Sequence, residues 1–451
     1  MKRRIFGMET EYGLIFSGRG NTTLSVESAL AYLFEGLITQ QSGSNVFLKN
    51  GGRIYQDTGS HPEYATPECS NVLDLLAHDK AGERIVESLL ISLQRELDSR
   101  GLAGEVYIYK NNTDSVGNTY GCHENYLVDR NVDFQKLIER LIPFFVSRQI
   151  FCGAGKLLRT PSGPRYVMSQ RAQHICQRVA SVTTNSRSII NTRDEPHADP
   201  ERYRRLHIIV GDSNMSELAT YLKTGLTGLL LQVFEDRYLT RDLSLMDPVQ
   251  AIREIAFDLT CRKPVKLANG LEMSALDLQW SYLEMASNYY AHHDADPIVT
   301  DLLDRWAGML VKLERDPMSL EREVDWAAKK KLLESYAERK GIRLSDPRLL
   351  LMDMQYHDIR RDRSLYYLLE REGKVERVIT DVLIDQAREL PPQDTRARIR
   401  GEFVQAADRK RKSYSVDWSY VRLNDRFGST IIIKDPFQPV DSRVQMLLAS
   451  L

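Results

Sequence analysis

The sequence predicts an α+β protein, in which a mixed or antiparallel sheet is followed by packing helices and a small C-terminal domain. Over about 1–212, short runs of alternating apolar and polar residues are separated by clusters of Asn, Gly and Asp that favour turns. Over about 214–385, apolar residues recur at helical spacing. A proline-rich break at 390–394 precedes a basic stretch and a strand-like tail. We therefore expect one large domain over 1–388 and a small second domain over 389–451.

The composition excludes several classes of protein. The 451 residues include 61 Lys+Arg and 62 Asp+Glu, so the formal net charge of −1 creates no overall field that would attract nucleic acid or an anionic membrane. No apolar stretch approaches the roughly 20 residues of a membrane-spanning helix, and the basic start of the chain lacks the apolar core of a signal peptide. The five cysteines form no C-x-x-C pair, which argues against a disulfide framework and a thiolate zinc site. We therefore expect a cytoplasmic protein with reduced cysteines.

The first candidate strand, over 4–16, carries two carboxylates on one face. Glu9 and Glu11 are two residues apart and therefore share one side of an extended chain. Their Cα atoms would be roughly 6.6 to 7 Å apart, a spacing at which the side chains can hold one or two hard cations. The alternative is a half-exposed strand with a solvated acidic face. The opposite face would carry Phe6, Met8, Tyr12 and Leu14.

Three further candidate strands also present polar faces. The same alternation places Arg53, Tyr55 and Asp57 together ahead of a turn that carries Glu63, pairs His123 with Asn125, and pairs Arg205 with His207. An oxygen-rich cluster with one or two imidazoles suits Mg²⁺ or Mn²⁺ better than structural zinc. The alternative for each histidine is a structural, hydrogen-bonded role.

Arginines near the candidate strands could bind phosphate. Arg171, Arg193 and Arg205 lie just before or within strand-like runs, where a guanidinium group can bind a phosphate or a carboxylate through two hydrogen bonds. The sequence has neither a G-x-x-x-x-G-K-[ST] loop nor a G-x-G-x-x-G after a strand. Phosphates would therefore be held by metal ions and arginines on an open sheet. The alternative is ordinary surface ion pairs with neighbouring acids.

Asp57 is the best candidate for a catalytic base. It lies at a predicted strand end, precedes a turn-prone Thr-Gly pair, and shares a face with Arg53 and Tyr55. Such a carboxylate can stay ionised beside cations and accept a proton from an attacking amine. The alternative is that Asp57 only caps the turn.

Six strings of the sequence resemble those of the Pup ligase and depupylase family. They cover residues 9–13, 53–68, 110–114, 121–126, 191–199 and 203–207. The resemblance extends over nearly the whole chain. It implies a glutamine-synthetase-like fold, in which a curved antiparallel sheet binds ATP and magnesium, helices back the sheet, and a small C-terminal domain closes one end.

The resemblance also implies roles for particular residues. It places Glu9, Tyr55 and Glu63 around magnesium, with Glu11, His123 and His207 lining the same site, and it makes Asp57 the catalytic base. It assigns Arg53, Thr66, Trp418 and Arg205 to ATP, and Arg171, Arg193 and His197 to the phosphates and the terminal glutamate of Pup.

The family contains two opposite activities, and the sequence favours the ligase. The ligase uses ATP to activate the side-chain carboxylate of the C-terminal glutamate of Pup as a γ-glutamyl phosphate, which a target lysine attacks to form an isopeptide bond; the depupylase cleaves that bond. Depupylases usually carry an insertion before the Asn-Gly-x-Arg segment, whereas residues 13–49 alone separate Tyr12 from Asn50 here. The strings at 58–61, 113–118, 182–187 and 434–437 also resemble the ligase, whereas 313–318 and 353–360 resemble the depupylase.

We therefore expect a Pup–protein ligase that marks target proteins for proteasomal degradation. Its expected partners are Pup and proteins with accessible lysines, not nucleic acid or membrane. The alternatives are a depupylase or Pup deamidase, a small-molecule glutamate–amine ligase, and a non-catalytic binding module of the same fold. Because Pup is acidic and largely disordered, we expect a groove with basic edges. The runs at 396–400 and 409–412 are candidates for these edges, and a solvated basic face is the alternative.

Overall fold

The computed structural model describes all residues except 36, 38–40, 42–44, 58, 115–116, 183–186, 426–427, 429 and 450–451. Parts of three ligase-like strings, at 58, 115–116 and 183–186, therefore lie outside the described residues. None of the helices in the described part of the chain combines the length and the apolar composition needed to cross a membrane.

The strands are short and concentrate in the first half of the chain, as predicted. In chain order they are β1 (Phe6–Glu11), β2 (Gly13–Gly18), β3 (Asn45–Phe47), β4 (Arg53–Gln56), β5 (Pro62–Ala65), β6 (Gly104–Tyr109), β7 (Cys122–Asp129), β8 (Lys156–Thr160), β9 (Gly163–Val167), β10 (Gln177–Ala180), β11 (Ser188–Asn191), β12 (Tyr203–Ile208), β13 (Pro264–Lys266), β14 (Glu272–Ser274), β15 (Tyr414–Asp417), β16 (Tyr420–Leu423) and β17 (Thr430–Ile432).

The helices dominate the second half. They are α1 (Val26–Glu35), α2 (Val72–Ser99), α3 (Phe134–Ser147), α4 (Gln149–Cys152), α5 (Glu217–Glu235), α6 (Pro248–Phe257), α7 (Ala275–Tyr290), α8 (Pro297–Arg315), α9 (Asp325–Lys340), α10 (Pro347–Gln355), α11 (Leu365–Arg371), α12 (Asp381–Glu389), α13 (Ala397–Arg409) and α14 (Ser442–Ala449). Many begin at a side-chain cap that accepts a free N–H of the first turn. For example, Asn71 accepts from the Asp74 N–H at 2.9 Å at the start of α2.

The main sheet has eight strands in the spatial order β10-β11-β12-β7-β1-β5-β4-β3. Neighbouring strands in this order run antiparallel, except that β10 and β11 run parallel. One face of the sheet packs on helices, because alternate residues along each strand are apolar. The main hydrophobic core contains Phe6 and Met8 of β1, Tyr126 of β7, Leu206 of β12, and Leu75, Leu141 and Leu222 of α2, α3 and α5. The predicted α+β class is therefore confirmed.

The predicted single strand over 4–16 is wrong, because the chain leaves the main sheet at Tyr12. Strand β2 pairs with β6 in a separate two-stranded sheet, and Tyr12 and Leu14 join a second hydrophobic core instead of sharing a face with Phe6. A Cβ atom on Gly13 would lie 2.3 Å from the Tyr120 hydroxyl oxygen, so glycine permits the close approach at this change of direction.

A second local correction concerns Glu63, which the sequence placed in a turn. It lies instead within β5, directly opposite Tyr55 of β4 on one side and Glu11 of β1 on the other. The connection between the two strands lies before Glu63, because β4 ends at Gln56 and β5 begins at Pro62.

The C-terminal segment forms a three-stranded sheet, β15-β16-β17, that packs with α13 and α14 around a small core. That core includes Phe403, Tyr414 and Val421, together with Phe47 of β3 from the first part of the chain. The segment therefore packs directly against the main sheet, and the boundary at 388/389 stays a prediction.

Candidate active site

The polar residues predicted from the sequence converge on one cavity of about 1000 Å³ against the main sheet. Its lining includes Glu9, Glu11, Arg53, Tyr55, Asp57, Glu63, His123, Arg171, Arg193, His197, Arg205, His207 and Trp418. The remaining predicted residue, Thr66, lines an adjoining cavity of about 80 Å³. Both cavities share Glu9, His197, Arg205 and Trp418, so all of the predicted side chains face one connected space.

Strand register explains why residues far apart in the sequence meet here. Glu9 lies opposite His123, Glu11 lies opposite Glu63, and Glu63 lies opposite Tyr55. Side chains in directly opposed positions on one face have Cβ atoms about 4.5 to 5.5 Å apart. The pairing of four strands therefore forms a row of acids and imidazoles across the sheet.

Glu9, His123 and His207 form a group that could hold a metal ion. One ligand atom from each lies within 4.8 Å of the others. The Glu9 Oε2 atom is 3.5 Å from His123 Nδ1 and 3.6 Å from His207 Nε2. Both ring nitrogens of His207 are buried and lack a hydrogen-bond partner. Because a buried polar group normally has a partner, this imidazole fits a site that receives a ligand.

The Glu9 carboxylate is surrounded by groups that favour its charge. Burial alone would raise the pKa of Glu9, but the hydrogen bond with His123 and the electrostatic interactions with the His207 ring and with Arg205 outweigh it and lower the pKa. Arg205 Nη1 lies 3.6 Å from Glu9 Oε1, and Asn125 donates to the same oxygen at 3.1 Å. Glu9 is therefore anionic in the folded protein at neutral pH.

Glu63 experiences the opposite environment. Burial and the negative charges of Glu9 and Glu11 raise the pKa of Glu63 well above its ordinary value, and Asp57 adds to this effect. The pKa of the neighbouring Tyr55 phenol is also raised, first by burial and then by Glu63. A cation between these oxygens would relieve the repulsion.

His207 is neutral in this environment. Burial lowers the pKa of its imidazole well below the ordinary value, and the effect of Glu9 in the other direction is not sufficient to reverse it. A neutral imidazole has a lone pair on one nitrogen and is the form that binds metal ions.

Asp57 occupies the tight turn between β4 and β5. The Gly59 N–H donates to Asp57 Oδ2 at 3.1 Å, and the Asp57 N–H donates to the His61 carbonyl at 2.9 Å. Ser60 completes the turn with a left-handed backbone, at φ 58°. The carboxylate therefore accepts a hydrogen bond within its turn and also lines the cavity, and its role as catalytic base stays a prediction.

The predicted arginines have different environments. Arg205 contacts Glu9 within the row of polar groups. Arg171 is buried and donates to the Tyr120 carbonyl at 2.5 Å, while its Nε atom has no partner. The side chain of Arg193 is 61% exposed and forms an ion pair with Glu195 at 2.6 Å. For Arg193, the ion pair proposed as the alternative is therefore present, although the residue also lines the cavity.

Aromatic rings and a hydroxyl group also line the two cavities. The Trp418 ring lies 6.4 Å from the His197 ring and 5.0 Å from the Phe47 ring, between centroids. Thr66 Oγ1 accepts from the Met8 N–H at 3.0 Å, which holds this hydroxyl beside β1. The guanidinium of Arg53 stacks over the Tyr55 ring at 4.0 Å.

Sequence reasoning missed several lining residues. His61 stacks on Tyr120 with 4.3 Å between ring centroids, and its Nδ1 lies 3.1 Å from the Tyr12 carbonyl oxygen. Arg187 donates to the Thr119 carbonyl at 3.1 Å, and Asn191 has an unpartnered amide nitrogen. His61 and Asn191 lie within strings already recognised, so their position beside other site residues was a usable signal. Arg187 ends the ligase-like string at 182–187, which was a signal of the same kind.

The basic run at 396–400 is not a basic edge of a groove, so this prediction is wrong. Arg396 and Arg400 are buried and form ion pairs with Glu68, because α13 packs its inner face against the main sheet. The residues at 409–412 are exposed, which is compatible with either of their predicted roles.

Comparisons with known proteins point to one family. A family model described as Pup-ligase protein matches residues 4–422. A Pup–protein ligase of Kribbella flavida is 52% identical, with 100% of both chains covered, and one of a Nocardioides species is 52% identical, with 99% of both covered. The solved complex of the prokaryotic ubiquitin-like protein Pup with its ligase PafA matches 99% of this chain and 91% of that chain, with TM-score 0.93 and 39% identity. The ADP complex of the Pup ligase PafA covers 96% and 95%, with TM-score 0.86 and 38% identity.

Proposed function

Because the chain belongs to the Pup-ligase family, we propose that it is an ATP-dependent ligase that joins the C-terminal glutamate of Pup to lysine side chains of target proteins, and so marks them for proteasomal degradation. The observation that carries this proposal is the connected space in which Glu9, Glu63 and Asp57 meet Thr66 and Trp418. It combines a site for cations, a carboxylate base and a pocket with aromatic and hydroxyl groups. The depupylase alternative is not favoured, because the family model and the similar chains are ligases.

Magnesium fits the donor set. Glu9, Tyr55 and Glu63 would bind it, and Glu11, His123 and His207 would complete the surroundings of the site. Two observations support this assignment: like-charged carboxylates are buried together, and the His207 nitrogens lack hydrogen-bond partners. When bound, Mg²⁺ supplies positive charge that stabilises the transferring phosphoryl group.

The protein's own side chains would then position the substrates. We assign Arg53, Thr66, Arg205 and Trp418 to the nucleotide, and Arg171, Arg193 and His197 to the phosphates and the terminal glutamate of Pup. Phosphoryl transfer depends mainly on positioning and charge stabilisation, which the arginines of this space provide. Transfer of the γ-phosphoryl group to the glutamate side chain gives an acyl phosphate and ADP.

Asp57 would act in the second step. An unperturbed lysine has a pKa of about 10.4 and is protonated at neutral pH, so its amine must lose a proton to attack. We assign Asp57 as the group that accepts this proton while the amine forms the isopeptide bond and phosphate leaves. Its place on the turn beside Glu63 supports this role, because the carboxylate faces the same space as the proposed metal ligands.

A conjugation assay tests the proposal. It contains the protein, ATP, Mg²⁺, Pup ending in glutamate and a lysine-bearing target protein. We expect conjugates to accumulate only when ATP is present. Disappearance of preformed conjugates in the same buffer would instead identify a depupylase. Conjugation of glutamate to a small amine, without reaction of Pup, would identify a small-molecule ligase.

Two further proposals concern the C-terminal domain and the cellular location of the protein. We propose that 389–451 forms a small C-terminal domain, and limited proteolysis near the proline-rich break at 390–394 tests this. We also propose that the protein acts in the cytoplasm, which fractionation of cells that express it tests.

A further inference from the structure

A buried cluster of one acid and two arginines lies beside the smaller cavity. Glu68 follows β5, and Arg396 and Arg400 come from the start of α13. Arg396 Nε lies 2.7 Å from Glu68 Oε1, and Arg400 contacts both carboxylate oxygens. The two arginines are 2% and 0% exposed. Burying two guanidinium groups is costly, and it is sustained only where each finds partners.

Arg400 is fully engaged by its partners. Its Nε and Nη2 donate to the Gly51 carbonyl at 3.1 and 2.8 Å, which ties it to the turn between β3 and β4. Its Nη1 donates to the Trp418 carbonyl at 3.1 Å. Its guanidinium carbon also lies 4.8 Å from the centroid of the Trp418 ring. One side chain therefore holds both the backbone and the ring of Trp418 relative to the main sheet.

Arg396 holds a second wall of the smaller cavity, the one that includes His197. It donates to the carbonyl of His197, whose backbone is left-handed at φ 49°, and to the carbonyls of Ile433 and Lys434 at 3.1 and 3.2 Å. His197 and Trp418 both line the smaller cavity, which also contains Thr66. The shared carboxylate of Glu68 thus links the two walls.

We propose that Arg400 is a positioning residue for nucleotide binding, which fixes the Trp418 ring at the edge of the smaller cavity through the Glu68 ion pair. This inference rests on the proposed function, because it assumes that the nucleotide binds beside Trp418. Arg400 does not line either cavity, so it acts through Trp418. A lysine at 400 cannot replace it, because an ammonium group lacks the planar fork that serves Gly51, Glu68 and Trp418 together.

The test compares Arg400→Lys with Arg377→Lys. Arg377 also forms an ion pair with a buried acid, Glu217, but neither residue lines either of the two cavities described above. We expect Arg400→Lys to raise the Kd for ADP and the KM for ATP about tenfold, because a Trp418 ring that is no longer held in place must be ordered when the nucleotide binds. The kcat at saturating ATP should stay within about twofold. Arg377→Lys should lower thermal stability and leave both nucleotide constants unchanged.

A spectroscopic measurement separates positioning from loss of stability. The chain has four tryptophans, so ¹⁹F NMR of protein labelled with 5-fluorotryptophan gives few signals, and Trp418→Phe identifies the signal of Trp418. In Arg400→Lys this signal should shift or broaden, while those of Trp280, Trp306 and Trp326 stay in place. In Arg377→Lys it should stay in place.

A second variant keeps the inference testable if Arg400→Lys fails to fold. Glu68→Gln keeps an acceptor for the arginines but removes the charge. It should shift the Trp418 signal and raise the Kd for ADP, as expected for Arg400→Lys. Unchanged ADP affinity in both variants, with a raised Kd in Trp418→Ala, would overturn the positioning role and leave the proposed function intact. Absence of any ADP-induced shift of the Trp418 signal in the unmodified protein, together with absence of conjugation, would overturn the proposed function itself.

Discussion

Glu63 and Glu68 belong to the same short segment of the chain, yet they lie in opposite electrostatic environments. Glu63 is buried beside Glu9 and Glu11, and its pKa is raised. Glu68 is equally buried, but Arg400 and Arg396 outweigh burial and lower its pKa to about 2. Burial alone therefore does not distinguish a structural acid from a functional one.

The difference lies in what each carboxylate faces. The charge of Glu68 is compensated within the fold by two arginines that also join the C-terminal segment to the main sheet. The carboxylates around Glu63 face one another across neighbouring strands. A protein tolerates such repulsion where a cation from outside restores the balance, which is why we place the metal and the chemistry at Glu63 and not at Glu68.

The largest effect should come from Asp57, which lies close enough to Glu63 to raise its pKa. We expect Asp57→Asn to slow conjugation about 10³-fold, because general-base catalysis typically contributes 10² to 10⁴. The affinity for ADP should stay nearly unchanged, because the amide keeps the shape of the turn. Single-turnover conjugation and ADP titration measure the two quantities. Normal conjugation by Asp57→Asn would remove Asp57 from the role of base.

The largest loss of stability should come from Glu68→Ala, because the charge of Glu68 is compensated within the fold. It leaves two buried guanidinium groups without their shared anion, which costs roughly 3 kcal/mol of the free energy of unfolding. Urea denaturation of the metal-free protein measures this, with Glu63→Ala as the matched control in the same segment. A larger loss in Glu63→Ala than in Glu68→Ala would contradict the comparison.

Glu63→Gln should act through the bound ligand instead. At a concentration of Mg²⁺–ADP about 100 times its Kd, the unmodified protein should gain about 2.7 kcal/mol of stability, and the variant should lose most of this gain. Thermal unfolding with Mg²⁺–ADP and with EDTA provides the two conditions. If Glu63→Gln is stabilised by Mg²⁺–ADP as strongly as the unmodified protein, Glu63 is not a metal ligand.

The smallest predicted effect is a change in acid sensitivity. Because the pKa of Glu68 falls from 4.5 to about 2 on folding, its contribution to stability is present above pH 4.5 and is lost as the pH falls towards 2. Between pH 5.5 and 3.5 this loss amounts to about 1 kcal/mol of the free energy of unfolding. Over the same pH range, the free energy of unfolding of Glu68→Gln should therefore fall by about 1 kcal/mol less than that of the unmodified protein. If urea denaturation at the two pH values gives the same change in the free energy of unfolding for Glu68→Gln and for the unmodified protein, the pKa of Glu68 is not lowered.

Much of the candidate active site could be predicted from the sequence. Period-two alternation placed Glu9 with Glu11 and Arg53 with Tyr55, because the side chains of a strand alternate between its two faces whatever the strand pairs with. The family resemblance then added residues such as Thr66 and Trp418, which have no local pattern of their own. All of these residues line the connected space found in the structure.

Other features depended on contacts between distant parts of the chain. The break at Tyr12 follows from the pairing of β2 with β6 and from the approach of Tyr120 to Gly13, neither of which local alternation reveals. Likewise, the run at 396–400 has the composition of a basic surface, and only the docking of α13 shows that Arg396 and Arg400 are buried against Glu68.

The sequence by itself determined which residue types are available and which of them share the face of a strand, since these follow from backbone geometry over a few residues. The tertiary structure alone decided which charges meet. It brought Glu63 against Glu9 and Glu11, and it brought Glu68 against two arginines from the other end of the chain. The reason is physical: the energy of a buried charge is set by its neighbours in space, and strand register and helix docking choose those neighbours.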